Sequence, residues 1–185
     1  TQVLSSAASD VYKRQRDNIL VSYNTICVVV AAGSSQRMKS DIPKQYIKLS
    51  GESVLSHTLS KLYNHPKIDA IIVVYSKDHQ KLYEEVTSDF QLLPAVEGGK
   101  TRQESVKNGL DAIKQFNPRK VLIHDAARPF ITENLISELV GALDNYKAAI
   151  PCVKIVDTVK KAIDNKVTTI DRDGLYKAQT PQAFI

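Results

Sequence analysis

Short apolar runs recur through the chain at residues 26–31, 70–75 and 120–124, with segments of helical spacing between them. Runs this short and this continuously apolar read as strands covered on both faces. A further strand is predicted over 148–153 and a shorter one over 92–96. Residues 53–63 carry Val54, Leu55, Leu59 and Leu62 at helical spacing behind Ser53 as N-cap. Residues 77–87 read as a second helix. Residues 101–116 place Val106, Leu110 and Ile113 on one face, with Thr101 and Glu104 at capping-box positions. Residues 132–143 open on Thr132 as a cap and set Leu135, Ile136, Leu139, Val140 and Leu143 on one stripe. This alternation predicts an α/β fold, a Rossmann-like and mostly parallel sheet with helices on both faces. In such sheets ligands bind beyond the carboxyl ends of the strands.

The rhythm breaks after Val153. Apolar and polar residues then alternate on either side of Asp164-Asn165, the pattern of a two-stranded hairpin. A lone hairpin is marginal in water. The segment 154–172 therefore reads as a projecting β-arm that packs against a partner subunit, giving a homodimer. Residues 1–22 show no period and contain a cluster of small residues, Ser5 to Ser9. They read as an extension to a domain spanning 23–185.

Composition narrows the function classes. At 185 residues and 43% hydrophobic, the chain suits one domain with a substantial core. The net charge is +5, but the basic residues are scattered and aromatics are only 6%, so no nucleic-acid partner is expected. No apolar run approaches the roughly 20 residues of a membrane span. Cys27 and Cys152 sit in apolar runs and read as buried, reduced thiols, which points to the cytoplasm.

Four segments follow strand ends and would converge on one cleft. The first is Ala31-Ala32-Gly33 with Arg37 and Lys44 beyond it. A turn without bulk brings backbone N–H groups to a phosphate, and two cations can neutralise a polyphosphate. Neither common phosphate-loop spacing is present. The second is Gly98-Gly99-Lys100-Thr101-Arg102, a glycine turn entering a helix N-terminus. The third is His124-Asp125-Ala126-Ala127-Arg128-Pro129. Its Asp125 can hold Mg²⁺ or a ribose hydroxyl, while a lone His124 reads as a core histidine. The fourth runs from Asp157-Thr158 through Asp171-Arg172 to Gln179-Thr180-Pro181-Gln182, where Thr and Arg can grip a second phosphate.

Taken in order, these motifs resemble the methylerythritol phosphate cytidylyltransferases over residues 26–185. The resemblance implies transfer of CMP from CTP to 2-C-methyl-D-erythritol 4-phosphate with release of pyrophosphate, in isoprenoid precursor synthesis. It implies that Arg37 and Lys44 stabilise the pentacoordinate phosphorus. Ala31, Ala32, Gly33, Gly99, Ser105, Asp125 and Ala126 would contact the nucleotide, with Asp125 also at the metal. Arg128, Thr158, Arg172 and Thr180 would position the sugar-alcohol phosphate, those of the arm in the neighbouring subunit's site. The family continues past the position of Ile185 into a helical region, so its last part lies beyond this sequence.

The attacking phosphate oxygen is already anionic at neutral pH, so the reaction needs no general base. The difficulty is electrostatic, an anion approaching a polyanion. Two rival readings are a ribitol 5-phosphate cytidylyltransferase and a non-catalytic nucleotide-binding module. The Ala31-Ala32-Gly33 start and Ala127 disfavour the first. The pair Arg37 and Lys44 disfavours the second, since binding alone does not require both.

Overall fold

The computed structural model describes residues 22–33 and 42–185. The extension expected over 1–22 falls outside them except for Ser22, and so does Arg37. The central strand is β1 (Thr25–Val30). Next come two-residue strands β2 (Lys48–Leu49) and β3 (Glu52–Ser53), which pair only with each other, then β4 (Ala70–Tyr75), β5 (Val96–Glu97) and β6 (Lys120–Asp125). The later strands are β7 (Ala148–Ala149), β8 (Cys152–Lys154), β9 (Val159–Ile163), β10 (Lys166–Ile170), β11 (Tyr176–Ala178) and β12 (Gln182–Phe184). The helices are α1 (Val54–Tyr63), α2 (Gln80–Thr87), α3 (Arg102–Ile113) and α4 (Glu133–Ala142).

The main sheet has the order β5-β4-β1-β6-β12-β7, with β1 parallel to both β4 and β6. Alternation along β1 sorts the two cores. Cys27, Val29 and Ala31 join Leu55, Leu59, Leu62, Ile136 and Leu139 on the face covered by α1, α2 and α4. Ile26 and Val28 join Ile72, Val74 and Ile113 on the face covered by α3. The Rossmann-like expectation, with helices on both faces, therefore holds.

Helix starts follow the predicted chemistry. The Ser53 hydroxyl accepts from the Ser56 N–H, and the Thr132 hydroxyl from the Leu135 N–H. Thr101 and Glu104 form a reciprocal capping box. The buried stripe of α3 runs through Ser105, Gly109 and Ile113, so Ile113 is buried as expected while Ser105 and Gly109 take the places expected of Val106 and Leu110. Val106 and Leu110 are only partly buried. Gly109 explains the difference: a Cβ there would lie 2.6 Å from Val28 Cγ1 and 2.8 Å from Val74 Cγ2. Two small residues face the sheet ahead of Ile113, so that α3 can approach it closely.

Two strand predictions are corrected. The strand expected over 92–96 shortens to Val96–Glu97, because Pro94 has no N–H to give the ladder. Before it, one bond from the Leu93 N–H to the Ile71 carbonyl holds the segment beside β4. The strand expected over 148–153 splits at Pro151 into β7 and β8. Cys152 consequently sits on a ribbon with no covering layer and is exposed rather than buried. Cys27 is buried, and burial pushes its thiol's pKa upward.

The projecting arm is present and is longer than predicted. β9 and β10 form the expected hairpin, with Asp164 and Asn165 both at positive φ in the two-residue turn. Beneath it, β8 pairs with β11. The chain then returns as β12, which enters the main sheet antiparallel between β6 and β7.

Candidate active site

The carboxyl ends of β1, β4 and β6 open on a cleft of about 580 Å³. Its lining includes Ala32 and Gly33 after β1, Gly99 to Arg102 with Ser105 at the start of α3, and Asp125 to Arg128 after β6. Lys44 and Gln45 complete it from the 3₁₀ turn Lys44–Tyr46. Three of the four segments chosen from the sequence thus meet in one place. Among the described residues, the cleft lining carries Lys44, Lys100, Arg102 and Arg128 against the single carboxylate of Asp125. Four cations facing one anion, at the end of a parallel sheet, suit a polyanionic ligand.

Two loops are pressed together at the floor. The Gly98 N–H donates to the Tyr75 carbonyl at 2.8 Å. A Cβ on Gly98 would lie 2.3 Å from the Ala32 Cβ, so only glycine admits this approach. Ser105, 2% exposed, accepts from the Gly99 N–H and donates to the Thr101 carbonyl. The start of α3 is less free to bind an anion than its sequence suggests. The Glu104 carboxylate already accepts from the N–H groups of Lys100 at 2.6 Å and Thr101 at 3.3 Å. This wall therefore meets a ligand chiefly through the side chains of Lys100 and Arg102.

Asp125 bridges the cleft. Its Oδ1 accepts from Arg102 Nε at 3.1 Å and Nη2 at 2.9 Å, and its Oδ2 accepts from Arg128 Nε at 3.0 Å. Burial alone would raise the pKa of this carboxyl, but the Arg102 and Arg128 guanidiniums outweigh it and hold the pKa below the ordinary value. Arg128 also donates from Nη1 to Gln179 Oε1 at 2.7 Å.

His124 is fully buried behind this turn. One ring nitrogen, Nε2, lies 3.1 Å from the Arg128 carbonyl, which can only accept, so Nε2 carries the proton. Nδ1 then accepts from the Thr180 hydroxyl at 3.1 Å. That hydroxyl in turn lies 3.4 Å from the Asp125 N–H, which donates to it. Burial, only partly offset by the Arg128 carbonyl, lowers the His124 pKa to about 4. The ring is neutral and structural, as the sequence suggested.

The remaining predicted residues divide by position. Ala31 and Ala126 are buried at the strand ends, and of the two only Ala126 is in the cleft wall. Thr180 lies behind Asp125 rather than in the wall, with its hydroxyl engaged as above. Thr158 and Arg172 are exposed on the arm, away from the residues that line the cleft. Arg172 Nη1 donates there to the Val156 carbonyl.

Sequence reasoning gave no role of their own to Gln45, Lys100, Arg102 and Gln179, yet they line the cleft or hold its residues. Lys100, Arg102 and Gln179 lie within segments chosen from sequence, and Gln45 adjoins Lys44. Those neighbours are the available signal.

No group of three or more His, Cys, Asp or Glu side chains able to hold a metal occurs among the described residues. Asp125 fits Mg²⁺ only in the mode where phosphates and water supply most ligands. Its Oδ2, which accepts a single hydrogen bond, is the oxygen with capacity left.

Comparison with known proteins gives concordant results. The family model for 2-C-methyl-D-erythritol 4-phosphate cytidylyltransferase (IspD) matches residues 25–185. The chain is 47% identical over 161 residues to the bifunctional enzyme IspD/IspF of Paramagnetospirillum magneticum, covering 86% of this chain and 42% of that protein. The chain thus spans well under half the length of that relative. Among solved structures, 4-diphosphocytidyl-2C-methyl-D-erythritol synthase of Anaerococcus prevotii superposes with a TM-score of 0.74 at 34% identity, covering 88% of this chain and 71% of that one. The 2-C-methyl-D-erythritol 4-phosphate cytidylyltransferase of Francisella tularensis gives 0.71 at 34% identity, covering 87% and 72%.

Proposed function

The chain belongs to the 2-C-methyl-D-erythritol 4-phosphate cytidylyltransferase family, and from that premise we propose that it transfers CMP from CTP to 2-C-methyl-D-erythritol 4-phosphate, releasing pyrophosphate. The observation that carries this reading is the cleft's charge: among the described residues its lining holds Lys44, Lys100, Arg102 and Arg128 with one carboxylate, Asp125, at the strand ends. Such a site binds phosphates and resists a neutral or cationic ligand.

In this reading the CTP phosphates lie along the 31–33 turn and Lys44. A phosphate oxygen of the sugar alcohol attacks the α-phosphorus, a P–O bond forms to it, and the bond to the bridging oxygen breaks to free pyrophosphate. The attacking oxygen carries no proton, so no side chain need remove one. Lys44, together with Arg37, holds the charge that develops on the equatorial and leaving oxygens. Arg128 takes the acceptor phosphate, and Asp125 takes a ribose hydroxyl or the metal. Mg²⁺ when bound supplies further charge neutralisation among the phosphates, with Asp125 as its protein ligand. Thr158 and Arg172 act from the arm in a partner's cleft, within a homodimer. The exposed apolar side chains of the arm, Val153, Val156, Ile163, Val167 and Tyr176, support that partner. No helix among the described residues is long and apolar enough to cross a membrane, which is compatible with a cytoplasmic enzyme.

The test is direct. The protein is incubated with CTP, Mg²⁺ and either 2-C-methyl-D-erythritol 4-phosphate or ribitol 5-phosphate, and pyrophosphate is measured. Release with the first acceptor only is expected. Release with ribitol phosphate alone, or binding of CTP without turnover, overturns the reading.

A further inference from the structure

Gln45 is a polar residue 2% exposed at the edge of the cleft. Its Nε2 donates to the Ala31 carbonyl at 2.6 Å and to the Gly33 carbonyl at 2.9 Å. Both partners can only accept, so the amide's orientation is fixed: its NH₂, with two protons, must face them. The Ala31 carbonyl lies where the sheet runs out. The Ala31 N–H still reaches the Val74 carbonyl, but β4 ends at Tyr75. The Gln45 side chain supplies the donor that the ladder no longer provides.

The same residue belongs to the three-residue turn Lys44–Tyr46. A 3₁₀ turn this short has little stability of its own. Two side chains pin it: Tyr46, 5% exposed in the main core, and Gln45 on the strand-end carbonyls. Lys44 is thereby held at a set place relative to the 31–33 turn, although ten residues of chain separate them.

We propose that Gln45 is a positioning residue, tying the nucleotide-facing turn at 31–33 to the turn that carries Lys44 so that backbone and cation meet one ligand in register. This rests on the functional reading above. Gln45 itself need not touch the phosphates. Misplacement of reacting groups by about 1 Å can cost on the order of 10²-fold in rate, and that is the effect assigned to this latch.

The test compares wild type with Gln45→Leu and Gln45→Glu. For each, binding of CTP with Mg²⁺ is titrated calorimetrically, the thermal midpoint is recorded, and pyrophosphate release is followed against pH. Leucine fills the space without donors. Glutamate is nearly isosteric, but its carboxylate repels both carbonyls, whereas its protonated form restores one donor. We expect Gln45→Leu to lose about 10²-fold in kcat/KM for CTP while remaining folded at the assay temperature. We also expect the rate of Gln45→Glu relative to wild type to rise as pH falls toward the carboxyl range. Measured below the variant's thermal midpoint at every pH, that rise reports the latch and not recovery of folding, and it decides the matter if the leucine variant fails to fold.

Gln45→Leu within threefold of wild type, or a constant ratio of Gln45→Glu to wild type across pH, overturns the proposal. Wild type that neither binds CTP nor releases pyrophosphate overturns the functional reading, and the latch with it. Wild type that is active beside indifferent Gln45 variants overturns the latch alone.

Discussion

Two regions leave the same sheet under opposite physical conditions. At the cleft, Ile123 and His124 of β6 are enclosed by neighbouring strands and by cores on both faces, and the turn after them is tied by His124, Thr180 and Gln179. In the arm, β9 pairs only with β10 and β8 only with β11, and no core cluster includes a residue of those four strands. The cleft is thus positioned by its own chain, while the arm lacks the burial that would hold its shape. The contrast teaches where each part's energy must come from. The cleft carries a precise arrangement because the sheet has already ordered its backbone, whereas the arm's apolar side chains stay exposed in the single chain, where the proposed dimer would cover them.

Removing the central cation should break function and leave structure alone. Lys44→Ala is expected to lower kcat by about 10²–10³-fold with an unchanged thermal midpoint, because Lys44 is exposed. A parallel fall in midpoint would blur the line between an ordered frame and the charge it presents.

The next largest effect is on stability, through His124. Its pKa is about 4 in the folded state against an ordinary 6.5. Between these values the unfolded chain binds a proton that the folded chain refuses, so stability declines as pH falls from about 6.5 to about 4, by roughly 3 kcal/mol in all. Denaturant titrations at stepped pH should show this slope, and His124→Gln should flatten it. Asp125 also has a lowered pKa, so its contribution is present above the ordinary carboxylate pKa and is lost only in stronger acid.

Smaller again is the effect of Gly109→Ala. Its Cβ would collide with Val28 and Val74 at 2.6 and 2.8 Å. Overpacking of this kind costs about 1–3 kcal/mol, less the roughly 1 kcal/mol that alanine gains over glycine within a helix. A net stabilisation would mean that α3 sits further from the sheet than described.

The arm should respond least. The double variant Val156→Lys and Val167→Lys is expected to change the unfolding free energy of the monomer by no more than about 0.5 kcal/mol, since both side chains are largely exposed. Sedimentation should nevertheless show loss of the proposed dimer. Melting of the sheet domain by these substitutions would erase the contrast between the two regions.

Much of this was legible because burial on both faces leaves a strong trace. Residues 70–75 read as a covered strand and are one, and Ser53, Thr101 and Thr132 announce their helices by local chemistry. Sequence reasoning failed where the partner is distant or the element is short. Nothing near Gln45 says that it will meet carbonyls at Ala31 and Gly33, because a carbonyl has no residue type. Arg102 and Asp125 are far apart in sequence, and only the parallel crossover brings them together. The three residues of β12 are too few to show any period. On α3 two of the three stripe positions were misjudged, because large apolar residues mark burial more visibly than Gly109 and Ser105 do.

The placement of β12 has a consequence for the order of assembly. It is the last strand of the sheet along the chain, yet it stands between β6 and β7 and is the only strand joining them. On a ribosome, β6 would emerge with an open edge and wait through the whole excursion of the arm before that edge closed. Thr180, which fixes the Asp125 turn, arrives with the same returning segment. A nascent chain would therefore hold the turns after β1 and β4 well before it could hold Asp125 and Arg128 in place, which would wait for the returning β12.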